Sequence, residues 1–293
     1  MSLLPLVHRD APSVRRLSFG EAPTLRSWLL RDVARHSFLL GWLHENDVLP
    51  IDPDHRFQFL GALQRDQLVG VSLLAGNSIA VVHGDGAAAT ALGAFHRRVS
   101  ARLQTIIGPR EAVERFWQAY AGSSLTPVQV RRQVLWDLRA RELRYFSEPL
   151  LELAEPDDLN ELFQMSVAMH EEETGLPLHP SERDVFRRNV AQRIDAGHTW
   201  CLRDPFTGRL MFKASVASWS PEVAQVEGVF VSPAYRGGGV ARRSLSEMLR
   251  RVLYTVDRVT LYADETNDAA LKLYRRLGFR DAGQWMTIDG GQG

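Results

Sequence analysis

The sequence predicts an α/β (α+β) protein built from two halves of similar order. At 293 residues the chain is longer than most single domains. Strand-like and helix-like patterns alternate in both halves, and in each half a glycine-containing turn leads into helix, strand, helix and strand. The spacing from this turn to a tyrosine is nearly equal, 36 residues from Gly84 to Tyr120 and 37 from Gly237 to Tyr274. We therefore predict a degenerate internal duplication.

The first half has the less sharp pattern, but its elements can be placed in order. The predicted elements are a helix around 24–46, strands near 55–63, 67–75 and 78–83, a turn at 83–86, a helix at 87–98, a strand at 102–107, a helix at 110–121 and a strand at 128–138. A boundary near 141–149 divides the chain into predicted domains 1–145 and 146–293.

The second half has sharper start and stop signals. Acidic residues in the first turn favour a helix over 157–174, and Ser181 is the expected cap of the next helix. Thr266 or Asn267 is expected to cap the last helix, which Gly278 ends. The predicted elements are strands at 148–155, 198–204, 209–219, 223–231, 258–264 and 280–288, and helices at 157–174, 181–197, 239–254 and 267–279.

Composition excludes several classes of protein. The 35 basic and 35 acidic residues balance, which argues against nucleic acid as a partner. No apolar run reaches the roughly 18 residues of a membrane span, and the N-terminus lacks a signal-peptide pattern, so we expect a cytoplasmic protein without a membrane partner. The single cysteine, Cys201, lies in an apolar stretch and is expected to be an inert buried thiol. The "HEEET" run at 170–174 lacks zinc-ligand spacing, so no metal is predicted.

The stretch "RGGGVA" at 236–241 follows a strand and precedes a helix, an arrangement that favours a bound phosphate. A P-loop would need Lys and Ser or Thr after the last glycine, where Val240 and Ala241 stand. A Rossmann fingerprint would need to follow the strand directly, whereas "SPAYR" intervenes here. It would also need a glycine or alanine at the position that Arg242 occupies. Both of these phosphate loops fail on residues that their chemistry needs.

The same stretch resembles the Arg/Gln-x-x-Gly-x-Gly/Ala pyrophosphate loop of the GNAT acetyltransferase superfamily. The resemblance runs from about residue 150 to 288 and includes "VEGVFVSP" before the loop and "N…A…LYRRLGF" after it. It implies two GNAT-like domains in tandem, each a mixed, mostly antiparallel sheet flanked by helices. In the C-terminal one, the central strands 223–231 and 258–264 would be splayed, with a bulge at Gly228.

The resemblance also implies roles for individual residues. Glu227 would be the general base, or else a surface strand glutamate, and Tyr274 would protonate the departing CoA thiolate, or else be a core aromatic. Arg242 or Arg243 could lie near the 3′-phosphate or on a solvated helix face. Contacts to acetyl-CoA are expected from Val229, Phe230 (packing or lining), Val231, Arg236, Gly237, Gly238, Gly239, Val240, Ala241, Arg242, Asn267 and Ala270.

The first half departs from the family pattern, because "HGDGAAATAL" at 83–92 has no Arg or Gln before its glycines. This domain is therefore expected not to hold acetyl-CoA in the usual way. The predicted function is acetyl-CoA-dependent transfer to a primary amine of a small molecule or peptide, in a ternary complex, by a monomer or homodimer. The alternatives are a non-catalytic acyl-CoA-binding or sensing module and transfer of an aminoacyl or longer acyl group. Of the run at 170–174, at least two glutamates are expected to be solvated.

Overall fold

The computed structural model describes residues 11–46, 57–76, 78–99 and 102–290. The start of the predicted strand at 55–63 and the N-terminal segment considered for a signal peptide lie outside these residues. Within the described part of the chain, no helix is long and apolar enough to cross a membrane.

The first half folds almost as its pattern predicts. Its predicted long helix is two helices, α1 and α2, separated by a 3₁₀ turn at Leu30–Asp32. The elements are β1 Ser13–Arg16, α1 Ala22–Leu29, α2 Ser37–Glu45, β2 Phe57–Gln64, β3 Gln67–Ala75, β4 Ile79–Gly84, α3 Gly86–Arg98, β5 Thr105–Pro109, α4 Arg110–Ala121 and β6 Pro127–Arg139.

The second half differs from its prediction in two places. The strand expected at 148–155 is only two residues long, and the helix expected to be capped by Ser181 begins later, after Glu182, with no side-chain cap. Ser181 instead bonds His179 Nδ1 through its hydroxyl, at 2.7 Å. The elements are β7 Glu152–Leu153, α5 Leu159–Thr174, α6 Arg183–Asp195, β8 Thr199–Arg203, β9 Leu210–Trp219, β10 Ala224–Val231, α7 Val240–Val252, β11 Arg258–Asp264, α8 Asp268–Leu277 and β12 Arg280–Gly290.

The chain forms two compact units. Unit 1 consists of Met1–Leu135 with Gly283–Gly293, and unit 2 of Trp136–Ala282. Each unit therefore includes a piece of strand from the other half of the sequence, β12 in unit 1 and the end of β6 in unit 2. The predicted domains 1–145 and 146–293 assigned each half of the sequence its own last strand, and this division stays a prediction.

Unit 1 has a mixed sheet of order β1-β2-β3-β4-β5-β12-β6. Strands β4 and β5 are parallel, and the pairs β1–β2, β2–β3, β3–β4 and β5–β12 are antiparallel. Helices α3 and α4 pack on this sheet over a core that includes Phe116, Val82 and Leu92, together with Met286 and Ile288 from β12. The last strand of the chain thus supplies part of the core of unit 1.

Unit 2 has the order β6-β11-β10-β9-β8-β7, with β10 and β11 parallel and the pairs β7–β8, β8–β9 and β9–β10 antiparallel. The mixed, mostly antiparallel sheet that the resemblance implied is thereby confirmed. Helix α7 buries Leu245, Met248, Leu249 and Val252, whose spacing in the sequence places them on one helical face. Helices α5 and α6 cover a separate cluster around Leu162, Ile194 and Phe230.

Candidate active site

The two central strands of unit 2 pair only over a short stretch. Ala224 faces Val259 and Gln225 faces Thr260, and among the described residues the pairing of β10 with β11 ends there. Beyond this point the two parallel strands separate, which confirms the predicted splay. A gap between parallel strands in the middle of a sheet exposes backbone groups that a ladder would otherwise occupy.

The backbone of β10 is irregular at Gly228. Glu227 faces Ser215 on β9 and the next partners are Phe230 and Lys213, so β10 has one more residue than β9 over this interval. Gly228 has a φ of +64°, a left-handed conformation that side chains disfavour. This is a β-bulge, as predicted, and it removes backbone groups at Gly228 and Val229 from regular pairing.

The glycine stretch forms an open loop between β10 and α7. Gly237 and Gly239 have φ values of +83° and +78°, and a Cβ on Gly237 or Gly238 would meet no atom within 4 Å. Gly239 is the N-cap of α7 and has no capping side chain. The first helical bond runs from the Arg243 N–H to the Gly239 carbonyl. The N–H groups before Arg243 therefore have no acceptor within the helix and point out of its N-terminus. The loop therefore presents N–H groups and open space at a helix N-terminus, which together favour an anion.

The arginines of the loop have different partners. Arg236 donates from Nε to the Val231 carbonyl at 3.0 Å and from Nη2 to both carboxylate oxygens of Glu172 at 2.9 Å. It therefore connects the end of α5 to the end of β10, and only its backbone is available to the loop. Arg243 donates to Glu148 at 3.0 Å and to the Gly238 carbonyl at 3.1 Å.

Arg242 lies over the ring of Phe146, with its guanidinium carbon 4.5 Å from the ring centroid. Its Nε is buried without a hydrogen-bond partner, and among the described residues no carboxylate forms an ion pair with it. Of the two arginines considered for the 3′-phosphate, Arg242 therefore has the uncompensated charge.

Helix α8 positions three of the predicted residues. The Asn267 side chain caps the helix by accepting the Ala270 N–H at 3.0 Å, so of the two predicted caps Asn267 is the observed one. Gly278 ends the helix with a φ of +104°, as predicted. Tyr274 is buried, with its ring against Trp136 and Phe279.

No described residue forms a hydrogen bond with the Tyr274 hydroxyl. Burial raises the pKa of the Tyr274 phenol well above its ordinary value, and the negative charge of Glu173 raises it further. Tyr274 therefore keeps its proton at any working pH, and this proton is free for a ligand.

The predicted base, Glu227, is half exposed and forms an ion pair with Arg193 of α6, at 2.5 Å. Phe230, two residues past the bulge, buries its side chain in the cluster under α5 and α6. Of its two expected roles, packing is therefore the one its side chain performs. Val229 and Val231 are partly exposed.

The acidic run at 170–174 lies at the C-terminal end of α5, and its glutamates have different surroundings. Glu171, Glu172 and Glu173 are all exposed, and Glu172 holds Arg236 while the charge of Glu173 acts on Tyr274. Cys201 is buried, as predicted, and burial raises the pKa of its thiol to about 12, which disfavours the reactive thiolate. In the described ranges, no group of three or more His, Cys, Asp and Glu side chains is arranged to hold a metal ion.

Sequence reasoning missed one residue of this site, Lys213. It lies in the middle of β9, is 5% exposed, and its Nζ lies 3.2 Å from the position that a Cβ on Gly228 would occupy. The signal was present, since Lys213 is one of only two lysines in the chain and stands in the middle of a mostly apolar strand, "RLMFKASVASW". A lysine at an inward position of such a strand indicates a site rather than a surface.

The matching place in unit 1 is built differently. Its β4 ends at Gly84, and the Asp85 side chain caps α3 by accepting the Ala88 N–H at 2.8 Å. The N-terminus of α3 is thus occupied by a carboxylate of the chain itself, which opposes a phosphate there. A pocket of about 590 Å³ lies nearby, lined among others by Trp28, His36 and His83.

Three comparisons with known proteins bear on these geometries. The model of the Acetyltransferase (GNAT) family matches residues 161–279. A mycothiol acetyltransferase of Salinispora arenicola is 42% identical over 62 residues, which is 20% of this chain and 20% of that protein.

Two solved structures extend the likeness of fold over nearly the whole chain. A Drosophila protein is 13% identical, with 95% of this chain and 98% of that chain covered and a TM-score of 0.67. A tandem GNAT protein from the clavulanic acid biosynthesis pathway is 14% identical, with 96% and 99% covered and a TM-score of 0.54. What the chain shares with the GNAT acetyltransferase family is thus the segment at residues 161–279, which contains the splayed strands, the bulge, the glycine loop and α8.

Proposed function

We propose that the protein is an acetyl-CoA-dependent N-acetyltransferase that moves an acetyl group to a primary amine by direct attack in a ternary complex. The observation that supports the proposal is the order of three structural features along β10 and the segment that follows it. A bulge in a splayed strand is followed by an open glycine loop and an uncapped helix N-terminus. Acetyl-CoA supplies the acetyl group as an activated thioester. The acceptor amine would belong to a small molecule or a peptide.

The donor would lie along β10 and the loop. Backbone N–H groups of Gly237 to Ala241 would bind the pyrophosphate, where the dipole of α7 favours negative charge. Arg242 would add a cation near the 3′-phosphate, since its charge has no carboxylate partner among the described residues. The backbone at Val229 and Val231 would contact the pantetheine arm and the thioester carbonyl. Asn267 and Ala270 would border the pantetheine from α8.

Proton transfers complete the reaction. The amine nitrogen attacks the thioester carbonyl carbon, forming the C–N bond as the C–S bond breaks. Glu227 would accept the proton that the amine loses, because most alkyl amine is protonated near neutral pH and cannot attack in that form. Tyr274 would give its proton to the departing thiolate, and its raised pKa ensures that the proton is present.

The loop assignment can be tested at Gly238. A side chain at this position meets no atom within 4 Å, and the φ of Gly238 lies outside the left-handed range, so Gly238→Glu should fold normally. Its carboxylate would oppose the pyrophosphate. We expect calorimetry to show acetyl-CoA binding about 10- to 100-fold weaker than in the wild type.

Gly20→Glu is the matched control, because Gly20 in unit 1 is also exposed, has open space around its Cβ position and has no left-handed φ. The control should bind like the wild type. Absence of acetyl-CoA binding by the wild type, or unchanged binding by Gly238→Glu, would contradict the proposed function. Binding without CoA release over a broad amine panel would instead identify a non-catalytic module.

A further inference from the structure

The side chain of Lys213 is a buried ammonium group with no direct ion-pair partner among the described residues. It is 5% exposed, and among the described residues no hydrogen-bond acceptor or carboxylate within ion-pair distance is available to its Nζ. Buried charges in folded proteins are normally paired, because an unpaired ammonium loses its hydration without compensation. The ammonium group of Lys213 is therefore buried with hydrogen-bonding capacity that the described residues do not use.

The surroundings of Lys213 define where an anionic group of a ligand would lie. Nζ faces the bulge, 3.2 Å from the Cβ position of Gly228, and Met169 of α5 closes the same space at 3.9 Å from that position. The charged groups acting on Lys213 are Glu227 and Arg193, which already form a pair with each other, and Glu173 at the end of α5. Burial lowers the pKa of Lys213 to about 8, so the side chain is still mainly charged at neutral pH.

An anion that binds Lys213 cannot be one of the phosphates of the donor. In the proposed complex these lie at the glycine loop, beyond the end of β10, whereas Lys213 faces the bulge in the middle of that strand. The bulge is the place of the thioester, which is neutral. The remaining reactant at this point is the acceptor.

The charges of the cluster favour a zwitterionic acceptor. Two cations, Lys213 and Arg193, and two carboxylates, Glu173 and Glu227, give the cluster no net charge, although neither carboxylate bonds Lys213 directly. A ligand that carries one positive and one negative charge keeps the site neutral. Its ammonium group would face Glu227, which removes the proton, and its carboxylate would face Lys213. A simple alkylammonium would instead add an unbalanced charge beside a buried cation, which costs free energy.

We propose that Lys213 binds a carboxylate of the acceptor, so that the acceptor is an amine with a carboxylate close to its amino group, the class of amino acids. This inference rests on the proposed function and narrows its acceptor. Lys213 is here a specificity-determining residue, and Tyr274 and Glu227 keep their roles in proton transfer.

The test compares amino acids with the amines that differ from them only by loss of the carboxylate. Suitable pairs are L-alanine with ethylamine, L-phenylalanine with 2-phenylethylamine, L-histidine with histamine and L-lysine with 1,5-diaminopentane, assayed by CoA thiol release. In at least one pair we expect kcat/KM to favour the amino acid by about tenfold or more, as for a buried charge pair. Lys213→Met should remove this preference mainly by lowering kcat/KM for the amino acid.

Lys272→Met is the matched control, because Lys272 is the only other lysine of the chain and is exposed on α8. It should keep the preference. If no amino acid is favoured over its amine, the inference is wrong. It is equally wrong if Lys213→Met slows both members of a pair by the same factor, because Lys213 would then act on the thioester and not on the acceptor.

A second measurement needs no turnover. Without ligand, Lys213→Met should raise the midpoint of denaturant unfolding, since it removes a buried charge whose loss of hydration outweighs the attraction of the nearby carboxylates. Between about pH 8 and the ordinary lysine pKa of 10.5, the unfolded chain holds the Lys213 proton and the folded chain does not, so wild-type stability rises with pH. The advantage of the variant should therefore be largest below pH 8 and shrink towards pH 10.5.

A variant less stable than the wild type at pH 7 would show that Lys213 is compensated and overturn the inference. The failure of the proposed function is distinguishable. A wild type that does not bind acetyl-CoA in calorimetry contradicts the proposed function, whereas a wild type that transfers acetyl groups without preferring carboxylates contradicts only the acceptor class.

Discussion

Tyr274→Phe is expected to lower kcat by about 10²- to 10⁴-fold while acetyl-CoA affinity stays nearly unchanged, the range found for removal of a general acid. The phenol is buried and, in the described part of the chain, has no hydrogen-bond partner, so the substitution removes no structural bond. Because its pKa is raised, the wild-type hydroxyl is protonated at every pH used for assay. The thiolate would have to leave without a donor in the variant.

Steady-state CoA release measures kcat, and calorimetry on the same preparation measures acetyl-CoA affinity. Tyr254→Phe is the matched control, since Tyr254 is 91% exposed and lies in the same unit. Normal turnover of Tyr274→Phe would reject the acid role. An equal loss of turnover and of acetyl-CoA affinity would instead indicate that Tyr274 shapes the pantetheine site.

Removal of residues 283–293 is expected to abolish the folded state of unit 1, although these residues follow the entire second half in sequence. In unit 1, β12 lies between β5 and β6 and pairs with β5 from Trp285 to Asp289. Met286 and Ile288 are core residues of the unit. Loss of two such side chains costs about 2–5 kcal/mol each, which together approaches a typical domain stability of roughly 5–15 kcal/mol.

Amide hydrogen exchange resolved by mass spectrometry measures this effect segment by segment. The truncated chain should lose protection in β4, β5 and α4, which belong to unit 1. A chain ending at Gly290 is the control and should retain the wild-type pattern. Unchanged protection in these segments after removal of 283–293 would show that unit 1 does not need the strand.

The sequence predicted the parts of the site whose chemistry is local. Three local features were predictable: the glycine loop, the bulge at Gly228 and the cap at Asn267. Each depends on the conformational preferences of one or a few residues, and these preferences do not depend on the rest of the fold. The helical face of α7 follows from periodicity alone. Short or weakly marked elements were less predictable, because β7 and the start of α6 depend on what packs against them rather than on their own residues.

Only the tertiary structure decided which residues share a surface. In the structure β12 belongs mainly to unit 1 and the end of β6 to unit 2. The sequence pattern could not predict this exchange, because a strand has the same alternation of side chains whichever strand it pairs with. The partners of charged groups are likewise non-local. Arg193 of α6 forms an ion pair with Glu227 of β10, and Lys213 of β9 lies beside Gly228 of β10, because elements distant in sequence pack together there. The sequence by itself determined that a glycine loop and a helix N-terminus follow a bulged strand. The fold decided that the buried side chain of Lys213 lies beside the bulge, since burial and pairing are properties of packing.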